Sequence, residues 1–187
     1  MLDARGYVVI LVSKIHDDTL SQQFPGFRRI EKWPPKIYEN KVLLWPRVEK
    51  CKTIREVYQK QHDVFKEALD HIFKERNWCV VFDEQHYLCT KLGLQPENEM
   101  FLHQGRSSGL SIVNGAQRPA WVPLVTYSSA THAFIYNTNT RSDFKRLADM
   151  GGADTYEIEH NIRQLAKHEF VYVNTRSGDL IRSQVQL

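Results

Sequence analysis

The sequence predicts an α/β fold with a mainly parallel sheet, on two kinds of observation. Unbroken apolar runs with strand propensity recur at Tyr7–Ser13, Val42–Trp45 and Trp78–Phe82. They lack the alternation of half-exposed strands, as expected when helices cover both faces of a parallel sheet. A long helix-period segment, Thr53–Phe73, stands between the second and third runs. Strands that alternate with helices indicate a layered fold, and 187 residues suit a single domain, residues 1–187.

The first half of the chain is predicted to hold strands, a loop and the long helix. Lys14–Glu39 contains Pro-Gly and Pro-Pro pairs, so it is predicted to be mostly loop, with a short strand at Phe27–Glu31. Pro46 ends the predicted strand at Val42–Trp45. Thr53 and Glu56 have the spacing of a capping box, which marks the start of the amphipathic helix.

The second half continues the alternation and closes with a hairpin. Pro96 suits a first helical position, and Gly93 and Gly151 suit helix breaks. The predicted elements are a short helix through Leu92, a helix from Pro96, a strand at Leu110–Ala116, a short helix at Leu124–Ser128, a strand at Ala133–Tyr136, helices at Arg141–Met150 and Tyr156–Leu165, and an antiparallel hairpin of Glu169–Val173 with Leu180–Val185 on the edge of the sheet.

Composition restricts the class of protein without naming a function. No run approaches the roughly 20 apolar residues that span a bilayer, so we expect a cytoplasmic protein with no membrane partner. The cysteines Cys51, Cys79 and Cys89 form no CxxC pair, which indicates neither a disulfide framework nor a zinc site. The net charge of +3 permits nucleic-acid binding but does not argue for it, because the basic residues look spread along the chain.

Two adjacent carboxylates, Asp83 and Glu84, follow the apolar run at Trp78–Phe82. In an open α/β sheet, ligands bind beyond the carboxyl ends of the strands. There an aspartate can hold Mg²⁺ and a glutamate can deprotonate an attacking water, as nucleotide hydrolysis requires. The alternative is that the two acids only favour the start of the following helix.

Further polar residues follow the acid pair in a fixed order. A helix ends at Arg106, shortly before Gly109, and the next strand runs into Gln117-Arg118-Pro119. With Asp83-Glu84, this order resembles the FtsK/HerA superfamily of ring-forming P-loop ATPases that move DNA, including bacteriophage packaging enzymes. The resemblance extends from the strand at Tyr7 to Phe170 and is most specific from Trp78 to Pro119.

The resemblance implies a role for each of these residues. Cys79–Glu84 would be the Walker B strand, with Asp83 binding the Mg²⁺ of the nucleotide cofactor and Glu84 as the catalytic base. Arg106 would act as an arginine finger on the neighbouring subunit's nucleotide, and Gln117 would be a catalytic and nucleotide-binding sensor of the terminal phosphate. Locally, Arg106 could instead complement a helix end. Gln117 could instead satisfy backbone groups of a turn.

The same resemblance implies fold, cofactors and partners. The fold would be of the RecA-like P-loop NTPase type, and the cofactors would be ATP and Mg²⁺. The protein would hydrolyse ATP to translocate or package double-stranded DNA, as a homo-oligomeric ring such as a hexamer. If the chain is viral, it would act in the host cytoplasm.

The sequence departs from the family in one essential feature. It contains no glycine-rich loop of the form G-x-x-x-x-G-K-S/T, which in the family holds the phosphates and precedes the segment matching Tyr7–Ser13. We therefore expect a truncated motor domain that lacks the first strand, next to the strand ending at Gln117, and is inactive alone. Ser13-Lys14 keeps the family's lysine and loses its acid. The alternative is a non-catalytic ATPase-like interaction module.

Overall fold

The computed structural model describes residues 6–17, 20–36, 39–148, 150 and 154–185. Contacts between residues divide the chain into two compact units, residues 1–116 and 117–187. Gly151, which the sequence predicts as a helix stop, lies outside the described residues.

A five-stranded parallel sheet forms the centre of the first unit. Its strand order is β2-β3-β1-β4-β5, so β4 lies between β1 and β5, and β5 lies at an edge. Each run that the sequence predicts as a strand in this unit forms one, including the short strand after Pro25-Gly26. The strands are β1 (Tyr7–Leu11), β2 (Arg28–Ile30), β3 (Lys41–Leu44), β4 (Trp78–Phe82) and β5 (Ser111–Asn114).

This unit also contains the helices α1 (Leu20–Gln23), α2 (Ile54–Glu75) and α3 (Gln95–Gln104). The short helix predicted through Leu92 is a π-helix at Tyr87–Lys91, and a 3-10 helix at Gly105–Ser108 follows α3. The side chain of Thr53 caps α2 by accepting a hydrogen bond from the Glu56 amide, as predicted. The Glu56 carboxylate accepts a hydrogen bond of 2.8 Å from the Lys52 amide. The buried face of α2 packs on the sheet through Phe65, Ala68, Leu69 and Ile72, against Val9, Val80 and Phe82.

The second unit contains a separate three-stranded antiparallel sheet in the order β6-β7-β8. The predicted hairpin forms, but its predicted place on the edge of the parallel sheet is wrong, since β7 pairs with β6 on its other side. Ile135, Val171 and Val173 on one face of this sheet pack on the helices. The elements are α4 (Leu124–Ser129), β6 (His132–Tyr136), α5 (Arg141–Ala148), α6 (Thr155–Arg163), β7 (Glu169–Asn174) and β8 (Leu180–Gln184).

The structure thus confirms a mixed α/β fold with a mainly parallel sheet and a carboxyl-terminal antiparallel hairpin. β4 is buried along nearly its whole length, as its unbroken apolar run predicts. Among the described residues, no helix is both long enough and apolar enough to cross a membrane.

Candidate functional site

The acid pair lies at the carboxyl end of β4, an interior strand of the parallel sheet. Phe82 is the last residue of the strand, and Asp83 and Glu84 form the turn that follows. Two backbone hydrogen bonds of 2.8 Å tie this turn to the end of β5: the Gly115 amide donates to Phe82, and the Gln85 amide donates to Gly115. The acids are therefore held on a rigid frame at the edge where ligands of α/β sheets bind.

Asp83 is half-buried, and its Oδ2 is buried without a hydrogen-bond partner among the described residues. Burial raises the pKa of Asp83, the nearby Lys14 cation opposes this, and Asp17 adds to the rise. A buried carboxylate oxygen without a donor is costly in its ionised form unless a cation or a proton lies beside it. The group is therefore suited to bind a cation.

This environment predicts that Asp83 destabilises the protein at neutral pH. Because burial holds the folded-state pKa above the ordinary value of 3.8, ionisation above that pH costs folding free energy. Asp83→Asn is expected to raise the free energy of unfolding at pH 7 by roughly 1 kcal/mol, measured by urea denaturation without divalent cations. The gain should disappear at pH values below 3.8, where the carboxyl is neutral in both states.

Asp63→Asn is the matched control, because Asp63 is exposed on α2 and its partner Gln59 can still donate to the amide. It should leave stability unchanged. A destabilising effect of Asp83→Asn at pH 7 would contradict the interpretation of Asp83 as a buried carboxylate without a hydrogen-bond donor in the described part of the chain.

A lysine and an aspartate follow β1, the strand next to β4. Lys14 Nζ lies 2.7 Å from Asp17 Oδ2, and Asp17 Oδ1 accepts from the Leu20 amide at 3.1 Å. The hydrogen bond to Asp17 raises the pKa of Lys14, burial opposes this, and the negative charges of Asp17, Asp83 and Glu84 add to the rise. Lys14 is therefore a fixed cation in the field of the acid pair.

Asp17 was not identified from the sequence as a site residue. The family pattern predicts an acid directly next to the lysine, and Ser13 occupies that place. The structure brings an acid to the same lysine from three residues further along the chain. The sequence signal for this contact is the i, i+3 spacing of Lys14 and Asp17, because residues three apart in a short loop can form an ion pair.

A second polar group missed by the sequence reasoning is a chain of three side-chain amides. Gln85 Nε2 donates to Asn98 Oδ1 at 2.9 Å, and Asn98 Nδ2 donates to Asn114 Oδ1 at 3.0 Å. Gln85 and Asn98 are fully or almost fully buried, at 0% and 1% exposure. These bonds connect the turn after β4, helix α3 and the end of β5, so they position the backbone that carries the acid pair.

Gly115 allows β5 to pass directly against that backbone. A Cβ atom at this position would lie 2.6 Å from the Asp83 carbonyl oxygen, closer than any side chain tolerates. A glycine is thus required here for close approach rather than for an unusual φ angle.

Arg106 lies in the turn at Gly105–Ser108, and it is exposed. This turn is attached to the start of β4, because the Asn77 amide donates to the Ser108 carbonyl. The acid pair follows the opposite end of β4, and five strand residues span roughly 16 Å. The structure therefore does not bring Arg106 to the acid pair of its own chain.

Gln117 is the exposed first residue of the second unit, whereas Asp83 and Glu84 belong to the first. Its neighbour Arg118 has a defined structural contact. Arg118 Nε lies 3.1 Å from Oδ2 of Asp143, a completely buried acid on α5. The predicted Gln-Arg-Pro turn is thus anchored by its arginine, while no described contact defines a role for its glutamine.

Asp143 also accepts hydrogen bonds from the Ala120 amide and the Thr138 hydroxyl, both at 2.9 Å. Burial alone would raise the pKa of Asp143, but these two bonds and the Arg118 cation together lower it. Asp143 therefore joins the Gln-Arg-Pro turn, α5 and the segment after β6 into one ionised cluster.

The residues present fit a magnesium ion only as part of a larger coordination sphere. Among the described residues, no three His, Cys, Asp or Glu side chains are grouped as a complete metal site. Mg²⁺ in nucleotide sites is commonly held by one or two carboxylates, several waters and the phosphates themselves. Asp83, whose buried Oδ2 has no partner in the described part of the chain, matches the protein's share of such a sphere.

Comparison with known proteins gives a result at the level of fold. No protein-family model matches the sequence, and no curated protein matches it either. Solved structures do match, including the genome packaging NTPase B204 from Sulfolobus turreted icosahedral virus 2 in complex with sulfate. The TM-score is 0.67 at 14% sequence identity, over 97% of this chain and 82% of that one.

The same viral NTPase in complex with AMPPCP matches with a TM-score of 0.67 at 14% identity, over 97% of this chain and 83% of that one. The crystal structure of B204, the DNA-packaging ATPase from Sulfolobus Turreted Icosahedral Virus, gives 0.65 at 16% identity, with coverage of 97% and 83%. These TM-scores establish a fold shared with this viral NTPase, and they agree with the predicted α/β architecture built on a mainly parallel sheet.

Proposed function

We propose that this protein is the motor part of an ATPase that translocates or packages double-stranded DNA. One observation carries the proposal: Asp83, whose Oδ2 is buried and has no hydrogen-bond partner among the described residues, stands beside Glu84 at the carboxyl end of the interior strand β4. This arrangement occurs within a fold shared with a viral genome packaging NTPase. The acid pair would then be the hydrolytic centre of a related ATPase.

In this proposal each acid has a separate task. Asp83 would hold the Mg²⁺ of MgATP directly or through a water, and the bound ion would supply positive charge next to the phosphates. Glu84 orients the attacking water and accepts its proton. Lys14 contributes a cation whose field reaches both acids. The amide chain from Gln85 to Asn114 keeps the turn in place.

Arg106 and Gln117 complete the proposed catalytic set. Arg106 acts on the nucleotide of the neighbouring subunit, which agrees with its exposure and its distance from the acid pair of its own chain. An arginine supplied in this way raises turnover by roughly 10³–10⁵-fold and makes it depend on assembly of a ring such as a hexamer. Gln117 hydrogen-bonds the terminal phosphate. In this proposal residues 1–187 act as one ATPase domain, and the protein works in the cytoplasm.

The proposal includes a requirement for phosphate binding. The sequence contains no G-x-x-x-x-G-K-S/T loop, so its own residues offer Asp83 for the metal but no glycine-rich cradle for the phosphates. Among the described residues β5 pairs only with β4, which leaves one side of β5 for a further parallel strand. The family resemblance places the strand that precedes the phosphate loop at that side.

Isothermal titration calorimetry of the 187-residue chain with MgATP tests this requirement. We expect no binding in the micromolar range, because a single metal-binding acid without a phosphate cradle provides too few contacts. A clear micromolar Kd would contradict the requirement. Addition of a segment with a G-x-x-x-x-G-K-S/T loop, on the same chain or a separate one, should restore micromolar affinity and hydrolysis.

The absence of that loop also favours a second candidate, a non-catalytic module that keeps the fold and docks to an intact homologue. The coding DNA directly upstream of Met1 separates the two. An in-frame G-x-x-x-x-G-K-S/T sequence supports the motor, and its absence supports the module.

A further inference from the structure

The modest net charge of the protein conceals a strongly basic segment. Residues 27–55 contain nine Lys and Arg residues but only three Glu and no Asp, a net charge of +6. The whole chain carries +3, so the remaining residues together carry −3. The expectation that the basic residues are evenly spread is therefore wrong for this part of the first unit.

All three acidic side chains of the segment form ion pairs with arginines of the same segment. Glu39 pairs with Arg28, and Glu31 and Glu49 both pair with Arg47. The remaining basic residues are exposed and form no ion pair among the described residues. They are Arg29, Lys32, Lys36, Lys41, Lys50, Lys52 and Arg55.

Several of these cations lie at the carboxyl edge of the parallel sheet. Lys32 follows the end of β2, and Lys50 and Lys52 lie in the connection from the end of β3 to α2. The guanidinium of Arg29 lies 4.2 Å from the ring centre of Trp45, just after β3, which holds it in place. We call Arg29, Lys32, Lys50 and Lys52 the basic edge.

The strand order relates the basic edge to the acid pair. In the sheet β2-β3-β1-β4-β5 all strands run parallel, so the ends of β2 and β3 share one edge with the end of β4. Only β1 lies between β3 and β4, with β2 on the far side of β3, and Lys14 follows β1. A polyanion bound at the basic edge would thus lie beside the proposed hydrolytic centre, not on the opposite side of the unit.

We propose that the basic edge binds the phosphate backbone of duplex DNA. Exposed lysine ammonium groups on loops, without carboxylate partners among the described residues, are suited to neutralise backbone phosphates without reading sequence. The choice of DNA among polyanions rests on the proposed function. The positive charge of the basic edge does not depend on the proposed function. DNA binding at this edge can therefore be measured without nucleotide hydrolysis.

The test compares two triple variants of the full chain with equal charge. Lys32, Lys50 and Lys52 are replaced by glutamine in the first, and the exposed lysines Lys60, Lys74 and Lys145 in the second. Binding of a fluorescein-labelled duplex is followed by anisotropy across a range of salt concentrations, without nucleotide. We expect the first variant to flatten the slope of log K against log[salt] by roughly 2–3, since each phosphate contact contributes about 0.9. The second variant should keep the wild-type slope.

Acetylation footprinting provides a readout that does not depend on the variants. Duplex DNA should protect Lys32, Lys50 and Lys52 from acetylation and leave Lys60 and Lys145 reactive. Equal slopes for the two variants, no binding of the duplex by the wild type, or tighter binding of single-stranded RNA than of the duplex would each overturn the proposal. Failure of nucleotide hydrolysis would leave these measurements unaffected, so the two proposals fail separately.

Discussion

Glu84→Gln is expected to lower ATP turnover by at least about 10²-fold when the chain is joined to a phosphate-binding loop, because a positioned general base contributes roughly 10²–10⁴-fold. Nucleotide affinity should change less than about twofold, since the substitution keeps the shape of the side chain and leaves Asp83 in place. Phosphate release and binding of a fluorescent ATP analogue, measured on the same preparation, separate these two effects.

Glu67→Gln is the matched control, because Glu67 is exposed on α2. It should turn over ATP at the wild-type rate. Retained hydrolysis in Glu84→Gln would refute the assignment of the base while leaving the fold and the DNA surface untouched. Loss of both binding and turnover would show instead that Glu84 supports the structure of the turn.

Asp143→Ala is expected to destabilise the protein by about 2–4 kcal/mol, the range for removing one partner of a buried charged network. The substitution leaves the Ala120 amide, the Thr138 hydroxyl and the Arg118 guanidinium without their common acceptor. The figure lies below the upper limit for buried pairs because the Arg118 side chain is 38% exposed and water can reach it. Guanidinium denaturation followed by fluorescence measures the loss.

The pH dependence of this loss has a definite sign. The pKa of Asp143 lies below its ordinary value of 3.8 in the folded protein, so its contribution is fully present above that value. It is lost as the pH falls through the lowered pKa. The difference in stability between the wild type and Asp143→Ala should therefore shrink in acid below pH 3.8. Ser142→Ala, at the exposed neighbouring position, should show no such difference at any pH.

The elements of the fold could be predicted because each depends on local sequence. The apolar run at Trp78–Phe82, the cap at Thr53 and the proline after Gln95 all give signals within a few residues. The partner of the carboxyl-terminal hairpin could not be predicted in this way. The pairing of Ile135 with Val171 joins residues far apart in sequence, and alternation alone does not tell one sheet from another.

The candidate site shows the same limit. Asp83 and Glu84 were found because an apolar run ends at them. Asp17 approaches Lys14 across a loop, and Asn98 reaches Asn114 from a helix, so neither contact follows a periodic pattern. Asp143 looks like an ordinary acid in the first turn of a helix, and only its complete burial reveals its role. Residues that position a site are therefore harder to recognise than residues that stand at a strand end.

The strand order β2-β3-β1-β4-β5 has a consequence for how the protein is made. Leu11 pairs with Phe82, so about 70 residues must be synthesised and brought back before the strand that carries the acid pair finds its neighbour. Until then β1 and β3 can pair with each other but leave an apolar edge open. A nascent chain that stalls between these strands would present that edge to chaperones or to other chains, so the centre of the sheet closes late, and the proposed hydrolytic centre with it.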